Sequence, residues 1–462
     1  MSQPHTIPAR GARLPTGSLL AFSSPALAAT LLIYPVFGIL PSYYALNTQV
    51  TLAQIGGLFL VARVADALID PLVGILSDRT RTRLGGRLPW MIAGAAMAIP
   101  SIYFLFLPPP AATASYFLIW STAVMFAWTL MTIPHGAWAA ELSDDYDERS
   151  RIFGIRNVLA QIGGFAFLLL PPLLAPLTHT TEIGQSTMWG LVIMLWIVTP
   201  LSLLWAGLKS PSFGSAASQA AQPQSSLASV LRSIGSNRPF LYFILVTAMG
   251  GVAAGMSTAL LFLYVQDYLK LGASFFVVGL ISSLVMIGST PLWLWASSRY
   301  GKHRTWTFGL LLGVLVSLPL LVIVPGPQAL IPLLLVSALS GLAQGVIIPL
   351  PSSILADISD YALWKEKANA TGNYFSCLVL LSKITAAVGS SLALILSDIM
   401  GYTPHAAAAT KAVSLLTPLV IVPAILQLIA AVLVWNFPLD RRRQGIITRR
   451  LAQRQARLEA AS

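Results

Sequence analysis

Apolar residues run through this chain in long blocks separated by short polar breaks, and the blocks are longer than the helices of a soluble core. Stretches able to cross a hydrocarbon layer about 30 Å thick fall at about residues 18 to 41, 52 to 77, 88 to 108, 112 to 140, 152 to 176 and 187 to 208. A second set follows at about 239 to 266, 273 to 298, 304 to 325, 328 to 356, 369 to 398 and 411 to 437. The pattern predicts an all-α polytopic membrane protein with twelve transmembrane helices in two groups of six. Residues 209–238 are rich in Ser, Ala and Gln without hydrophobic periodicity, as expected of a linker. The chain thus divides into a six-helix bundle at 1–208, a cytoplasmic linker at 209–238, a second bundle at 239–437 and a basic tail at 438–462.

Composition supports this division. Of 462 residues, 56% are hydrophobic and 10% charged, too little polar surface for a soluble protein. The 28 Lys and Arg gather mostly in the N-terminal tail, the even-numbered connections and the C-terminal tail. The positive-inside rule then places both termini in the cytoplasm of a multi-pass plasma or bacterial inner membrane protein. Most of the formal charge of +12 is this topology signal, and a basic tail lying on anionic lipid accounts for the arginines after Asp440 without a nucleic-acid partner. Cys377 is a lone cysteine in an apolar run, which excludes an internal disulfide and a cysteine metal cluster. The N-terminal residues lack the pattern of a cleaved secretory signal, so the first apolar segment should remain as a helix. No nucleophile motif, phosphate loop or histidine–cysteine spacing points to an enzyme or a bound cofactor. The expected partners are a small-molecule substrate and membrane lipid, with the chain acting as a monomer.

Charge inside the membrane carries the chemistry. Asp66 and Asp70 are one helical turn apart on one face, with Arg63 a turn before. If their helix ends near Asp78, they lie roughly 18 Å and 12 Å from its cytoplasmic end. Acids at that depth cost at least about 2.5 kcal/mol each and ordinarily serve function. Lys383 is a further charge deep in an apolar segment.

The two halves echo each other. Pro71 to Arg79 (PLVGILSDR) aligns with Pro291 to Arg299 (PLWLWASSR) at an offset of 220 residues, and Pro134 with Asp145-Tyr146 matches Pro349 with Asp360-Tyr361 more weakly. Duplicated six-helix halves are the pattern of a rocker-switch transporter. Asp66 and Asp70 fall opposite Met286 and Thr290, so an acid-based ion site belongs to the N-terminal half.

Three ordered motifs carry a family likeness: DALIDPLVGILSDRTRTRLGGRLPW, then IPHGAWAAELSDDYDERSRIFGIR, then ADISDY followed by Lys383 in YFSCLVLLSK. In these the chain resembles the glycoside-pentoside-hexuronide:cation symporters of the melibiose-permease type, within the major facilitator superfamily. The resemblance implies the major facilitator fold, two pseudo-symmetric six-helix bundles working by alternating access. It also implies that Asp66 and Asp70 are the helix II cation-site acids, that Thr129 contributes to that site from helix IV, that Lys383 lies near the cation and sugar, and that Arg156 contacts sugar. Several positions depart from the family pattern. Ile69 stands where sodium-coupled members often have Asn, and Thr132, grouped here with the cation site, stands where the melibiose type has an aspartate. Gly136 replaces a stacking aromatic, and the first helix has no acid. Trp128 and His135 are candidates to line a remodelled pocket, giving Arg63, Trp128, His135, Arg156 and Lys383 as the substrate-binding set.

Two carboxylates and one arginine carry a charge of about −1 when ionised, which suits one monovalent cation. Sodium wants several oxygens, whereas a proton needs one carboxylate and tolerates the missing amide at Ile69. The expected activity is symport of a sugar, glycoside or sugar acid with a proton or sodium ion. The alternatives are an amphipathic lipid-like or organic-anion substrate, a non-transporting protein on the same fold, and an Arg63–Asp66–Asp70 cluster that only neutralises itself. In the cytoplasmic loops, Arg149, Arg151, Asp357 and Asp360 are candidate gate residues, with Arg149 or Arg151 expected to pair with Asp360.

Overall fold

The computed structural model describes residues 14–82, 84–143, 146–178, 183–210, 237–347, 349–366, 371–439, 443–447, 449, 450 and 453. The expected linker is therefore represented only by its ends, and the side chain of Arg149 lies outside the described residues, as do Asp144 and Asp145. The described residues are overwhelmingly helical, and their one β-type feature is an isolated bridge between Thr82 and Gly85.

The first half contains α1 (Thr16–Gly38), α2 (Leu40–Asn47), α3 (Leu52–Arg79), α4 (Leu88–Phe106), α5 (Ala114–Glu141), α6 (Tyr146–Thr178) and α7 (Gln185–Lys209). The first expected span is divided: the helix stops at Gly38 and restarts with Pro41 in its first turn, where a missing N–H costs nothing. The second half contains α8 (Arg238–Leu263), α9 (Phe275–Tyr300), α10 (Lys302–Ser317), α11 (Leu330–Gln344), α12 (Leu350–Glu366), α13 (Thr371–Ile399), α14 (Ala408–Leu416) and α15 (Val422–Trp435). Single π-turns at Tyr264–Tyr268 and Thr417–Ile421 extend α8 and join α14 to α15. Eleven helical segments among the described residues are long and apolar enough to cross a membrane. Beside them, α3, at 28 residues, is about 42 Å long, ample for a crossing.

Packing divides the chain into two units, Met1–Gln222 with Gly272–Phe276 and Pro223–Leu271 with Val277–Ser462. In the first, α1 packs on α6 and α7 while α4 packs on α5 and α7; in the second, α8 packs on α13 and α15 while α10 packs on α11 and α15. The sequence echo is thus an echo of helix pairing. Small residues permit it: a Cβ on Gly163 of α6 would strike the Leu27 carbonyl of α1, and one on Gly255 of α8 would strike the Ala386 carbonyl of α13. Without a hydrophobic drive between helices in lipid, such close backbone approach is a principal source of attraction.

Helix α3 is fixed at both ends. Thr51 and Gln54 form a capping box at its start, each side chain bonding the other's backbone N–H. At its far end the buried Arg87 pairs with Asp78 at 2.5 Å, donates to Ser77 Oγ at 2.9 Å and pairs with Glu141 at the end of α5. The turn between α3 and α4 closes through Thr82 Oγ1 on the Gly85 carbonyl, with Gly85 at φ +89°, where a side chain would be strained.

The second unit holds a buried ion cluster. Asp267 accepts hydrogen bonds from Tyr402 Oη at 2.8 Å, Lys411 Nζ at 2.9 Å and Lys270 Nζ at 3.0 Å, linking the end of α8 to the loop before α14 and to α14 itself. Lys411 also donates to the Pro404 carbonyl. Breaking a buried pair from one side strands the other charge. Lys411→Met is therefore expected to cost about 3 kcal/mol, measured as a lowered unfolding temperature of the detergent-purified protein, with Lys411→Arg close to wild type.

Candidate cation and substrate site

In the first unit, α3 lies against α5, and the contact brings three of the expected cation-site residues together. Asp66, one turn before Asp70, is only 4% exposed. The hydroxyl of Thr129 on α5 lies 2.5 Å from Asp66 Oδ1 and 3.0 Å from Asp70 Oδ1. A hydroxyl carries one proton and donates one strong bond at a time. Two carboxylates thus converge on one donor. The Thr129 oxygen keeps lone pairs facing the same space, so the group can also ligate a cation.

Arg63 supplies the partial neutralisation. Its Nη1 lies 3.7 Å from Asp66 Oδ2, and its guanidinium sits over the Phe37 ring of α1, 3.6 Å from the centroid. The Arg63 Nε is buried with no hydrogen-bond partner. Stacking on an aromatic face is a low-cost environment for a weakly hydrated guanidinium. Arg63, a candidate of the substrate-binding set, meets Asp66 and Phe37 and so lies beside the acid pair. Phe37 itself gives no sign in the sequence beyond being one aromatic residue among many. Pro71 was also passed over: lacking an N–H, it leaves the Ala67 carbonyl, between the two acids, without its intrahelical donor.

Thr132 behaves differently from the expectation. Its hydroxyl donates to the Trp128 carbonyl one turn back at 2.9 Å, the back-bonding common for Thr within helices, so its proton is not directed to either acid. Trp128 is half-buried on the same helix.

His135 and Arg156 form a second group. The imidazole Nε2 is 2.8 Å from the Phe22 carbonyl, and Arg156 Nε lies 3.4 Å from Nδ1. A carbonyl only accepts and a guanidinium only donates, so the ring is fixed as the neutral tautomer with its proton on Nε2. His135 is 1% exposed and tilted against Phe22 at 4.7 Å between centroids. Its surface is thereby covered, and its two ring nitrogens face the Phe22 carbonyl and Arg156. Arg156 is half-buried on α6. Lys383 lies on α13 of the second unit, half-buried and 12 residues beyond the start of that helix at Thr371.

The expected gate residues have partners within their own units. Arg151 bonds Glu148 at 3.1 Å, the Leu14 carbonyl at 3.0 Å and Thr16 Oγ1 at 2.8 Å, while Glu148 accepts from the Leu14 N–H at 3.0 Å, so the pair holds the start of α1. Asp357 pairs with Lys302 at 2.6 Å, and Asp360 accepts from Gln444 at 3.0 Å.

The MFS/sugar transport protein family matches residues 21–441. Among curated relatives, an uncharacterised symporter, YnaJ, of Bacillus subtilis is 23% identical over 446 residues, covering 94% of each chain. The glucuronide carrier protein homologue of Escherichia coli is 25% identical, covering 88% of this chain and 89% of its own. Among solved structures, a bacterial homologue of the human lysosomal transporter Spinster superposes with a TM-score of 0.66 at 15% identity, covering 91% of this chain and 96% of that one, a likeness of fold.

Removing the shared donor tests the cluster without reference to transport. Thr129→Val leaves the buried Asp66 and the half-buried Asp70 short of their common hydrogen bond and is expected to destabilise the protein by about 1–3 kcal/mol, read by thermal unfolding, with Thr129→Ser close to wild type. Equal stability of the valine variant contradicts the bridging role.

Proposed function

Because the chain belongs to the MFS/sugar transport protein family, we propose that it is a secondary active transporter coupling uptake of a sugar, glycoside or sugar acid to a proton or sodium ion. The observation that carries this reading is the pair of membrane-embedded acids, Asp66 and Asp70, converging on the one hydroxyl of Thr129 beside Arg63. Two ionised carboxylates side by side are costly to hold in a low-dielectric medium, and a proton or sodium ion taken up between them lowers that cost. Loading the cation thereby makes the occupied carrier electrically acceptable in conformations that the empty carrier avoids. This is the physical content of coupling in an alternating-access protein.

Arg156, held by the neutral His135, is the substrate-facing cation of the first unit, and Lys383 is its counterpart in the second. A planar guanidinium favours a carboxylate or vicinal hydroxyls, which agrees with a relative named as a glucuronide carrier and gives acidic sugars particular weight. The distribution of Lys and Arg supports placing both termini in the cytoplasm.

Uptake into proteoliposomes across a panel of neutral and acidic sugars, with and without sodium and with a protonophore, tests the reading. Accumulation is expected to collapse when the driving cation gradient is removed, and accumulation indifferent to both gradients overturns it. Asp70→Asn is expected to abolish accumulation while the protein stays in the membrane at wild-type levels. His135→Leu, which releases the Arg156 Nε, is expected to raise the half-saturating concentration of an acidic sugar about tenfold, the scale of a hydrogen bond lost at a charged group, with a smaller change in maximal rate.

A further inference from the structure

The second unit contains a basic cavity that the transport reading leaves unused. It has a volume of about 510 Å³ and is lined by Arg299, Tyr300, His303, Arg304, Trp435 and Arg443, among others. None of its described lining residues is acidic. From its place in the fold we infer that this cavity binds the headgroup of an anionic phospholipid.

Three observations converge. The first is depth. Apolar spans end at Tyr300 and Trp435 and another begins at Lys302, so the cavity lies where hydrocarbon gives way to the phosphate layer. Tyr300 and Trp435 are each 51% exposed, as interfacial aromatic residues are.

The second is an electrostatic mismatch within α10. Gly301, at φ +91°, makes the tight turn from α9 and has no side chain to cap the helix that follows. The first turn of α10 therefore presents uncapped N–H groups at the positive end of the helix dipole, yet it carries Lys302, His303 and Arg304. Cations at a helix N-terminus are unfavourable; Lys302 pairs with Asp357. A phosphate group in the cavity would answer both the cationic side chains and the helix end. Arg304 is already held toward this space by stacking over Trp435, at 5.7 Å from the ring centroid, and Arg443 is anchored by donating to the Pro438 carbonyl at 2.7 Å.

The third observation selects lipid over soluble phosphate. Below the basic rim, Phe308 sits 6.2 Å from Tyr300 and 6.3 Å from Trp435 between ring centroids, and Phe308, Leu311 and Val432 are exposed. This apolar surface continues from the cavity into the depth of acyl chains. A basic pocket at a span end, with an apolar wall beneath it, matches a headgroup with its tails attached.

The test uses delipidated full-length protein and native mass spectrometry, titrating phosphatidylglycerol, phosphatidylcholine and, separately, inorganic phosphate. The expected result is retention of phosphatidylglycerol over phosphatidylcholine. The Arg299→Gln/Arg304→Gln double variant is expected to lose about thirtyfold in phosphatidylglycerol affinity, about fivefold for each cation removed. Arg79→Gln, on the first unit, is expected to behave as wild type. Unchanged affinity in the double variant overturns the proposal, and so does competition by inorganic phosphate at concentrations equal to the lipid, which marks a soluble-anion site. Photo-crosslinking of a phosphatidylglycerol probe to the wild-type protein serves as the second measurement if the double variant is not monodisperse. Adducts within residues 299–308 or 435–443 support the site, and adducts confined elsewhere overturn it.

Discussion

Charge held inside an apolar slab must be balanced within a few ångströms, because no water is at hand to screen it. That constraint governs the first unit. Asp66 and Asp70 are brought to one hydroxyl by the packing of α3 on α5, and Arg63 is brought to Asp66 by stacking on Phe37 of α1. Arg63 and both acids share α3, while Thr129 and Phe37 come from two other helices, so the full cluster exists only when the unit is folded. Within the unit, Arg63 and Thr129 are two of the groups that meet these acids.

The two units share a pattern of helix pairing but not its chemistry. Where the first places Asp66 and Asp70, the corresponding positions of the second are Met286 and Thr290. The second unit instead puts its buried charge near the end of α8, where Asp267 is surrounded by Tyr402, Lys411 and Lys270. There the donors outnumber the acceptor. One unit thus gathers two acids around a single hydroxyl, and the other surrounds a single acid with three donors that tie helices together.

Much of this was legible in the sequence. Long apolar runs located the spans, and the i, i+4 spacing of Asp66 and Asp70 located the acids, because both signals are local. Thr129 was reached through family likeness, and the structure joins it to both acids. What spacing did not reveal was the choice of partner. Arg63 lies on Phe37 beside Asp66, Thr132 bonds its own helix, and Arg151 bonds Glu148 and the start of α1. Long side chains choose among several neighbours of similar energy, and that choice is settled by tertiary packing. The division of the first span at Ile39 was likewise hidden, since prolines are common in membrane helices that continue through them.

The fastening of α3 to α5 has a mechanical side. Thr129 rivets the two helices within the membrane, and Arg87, bonded to Asp78 and Glu141, rivets them again at the membrane face about 18 Å along. Two rivets make a pair of rods into a single beam, which resists sliding and twisting at once. Whatever displacement occurs at the carboxylates must then reappear at the loop joining α3 to α4, with no slack in between.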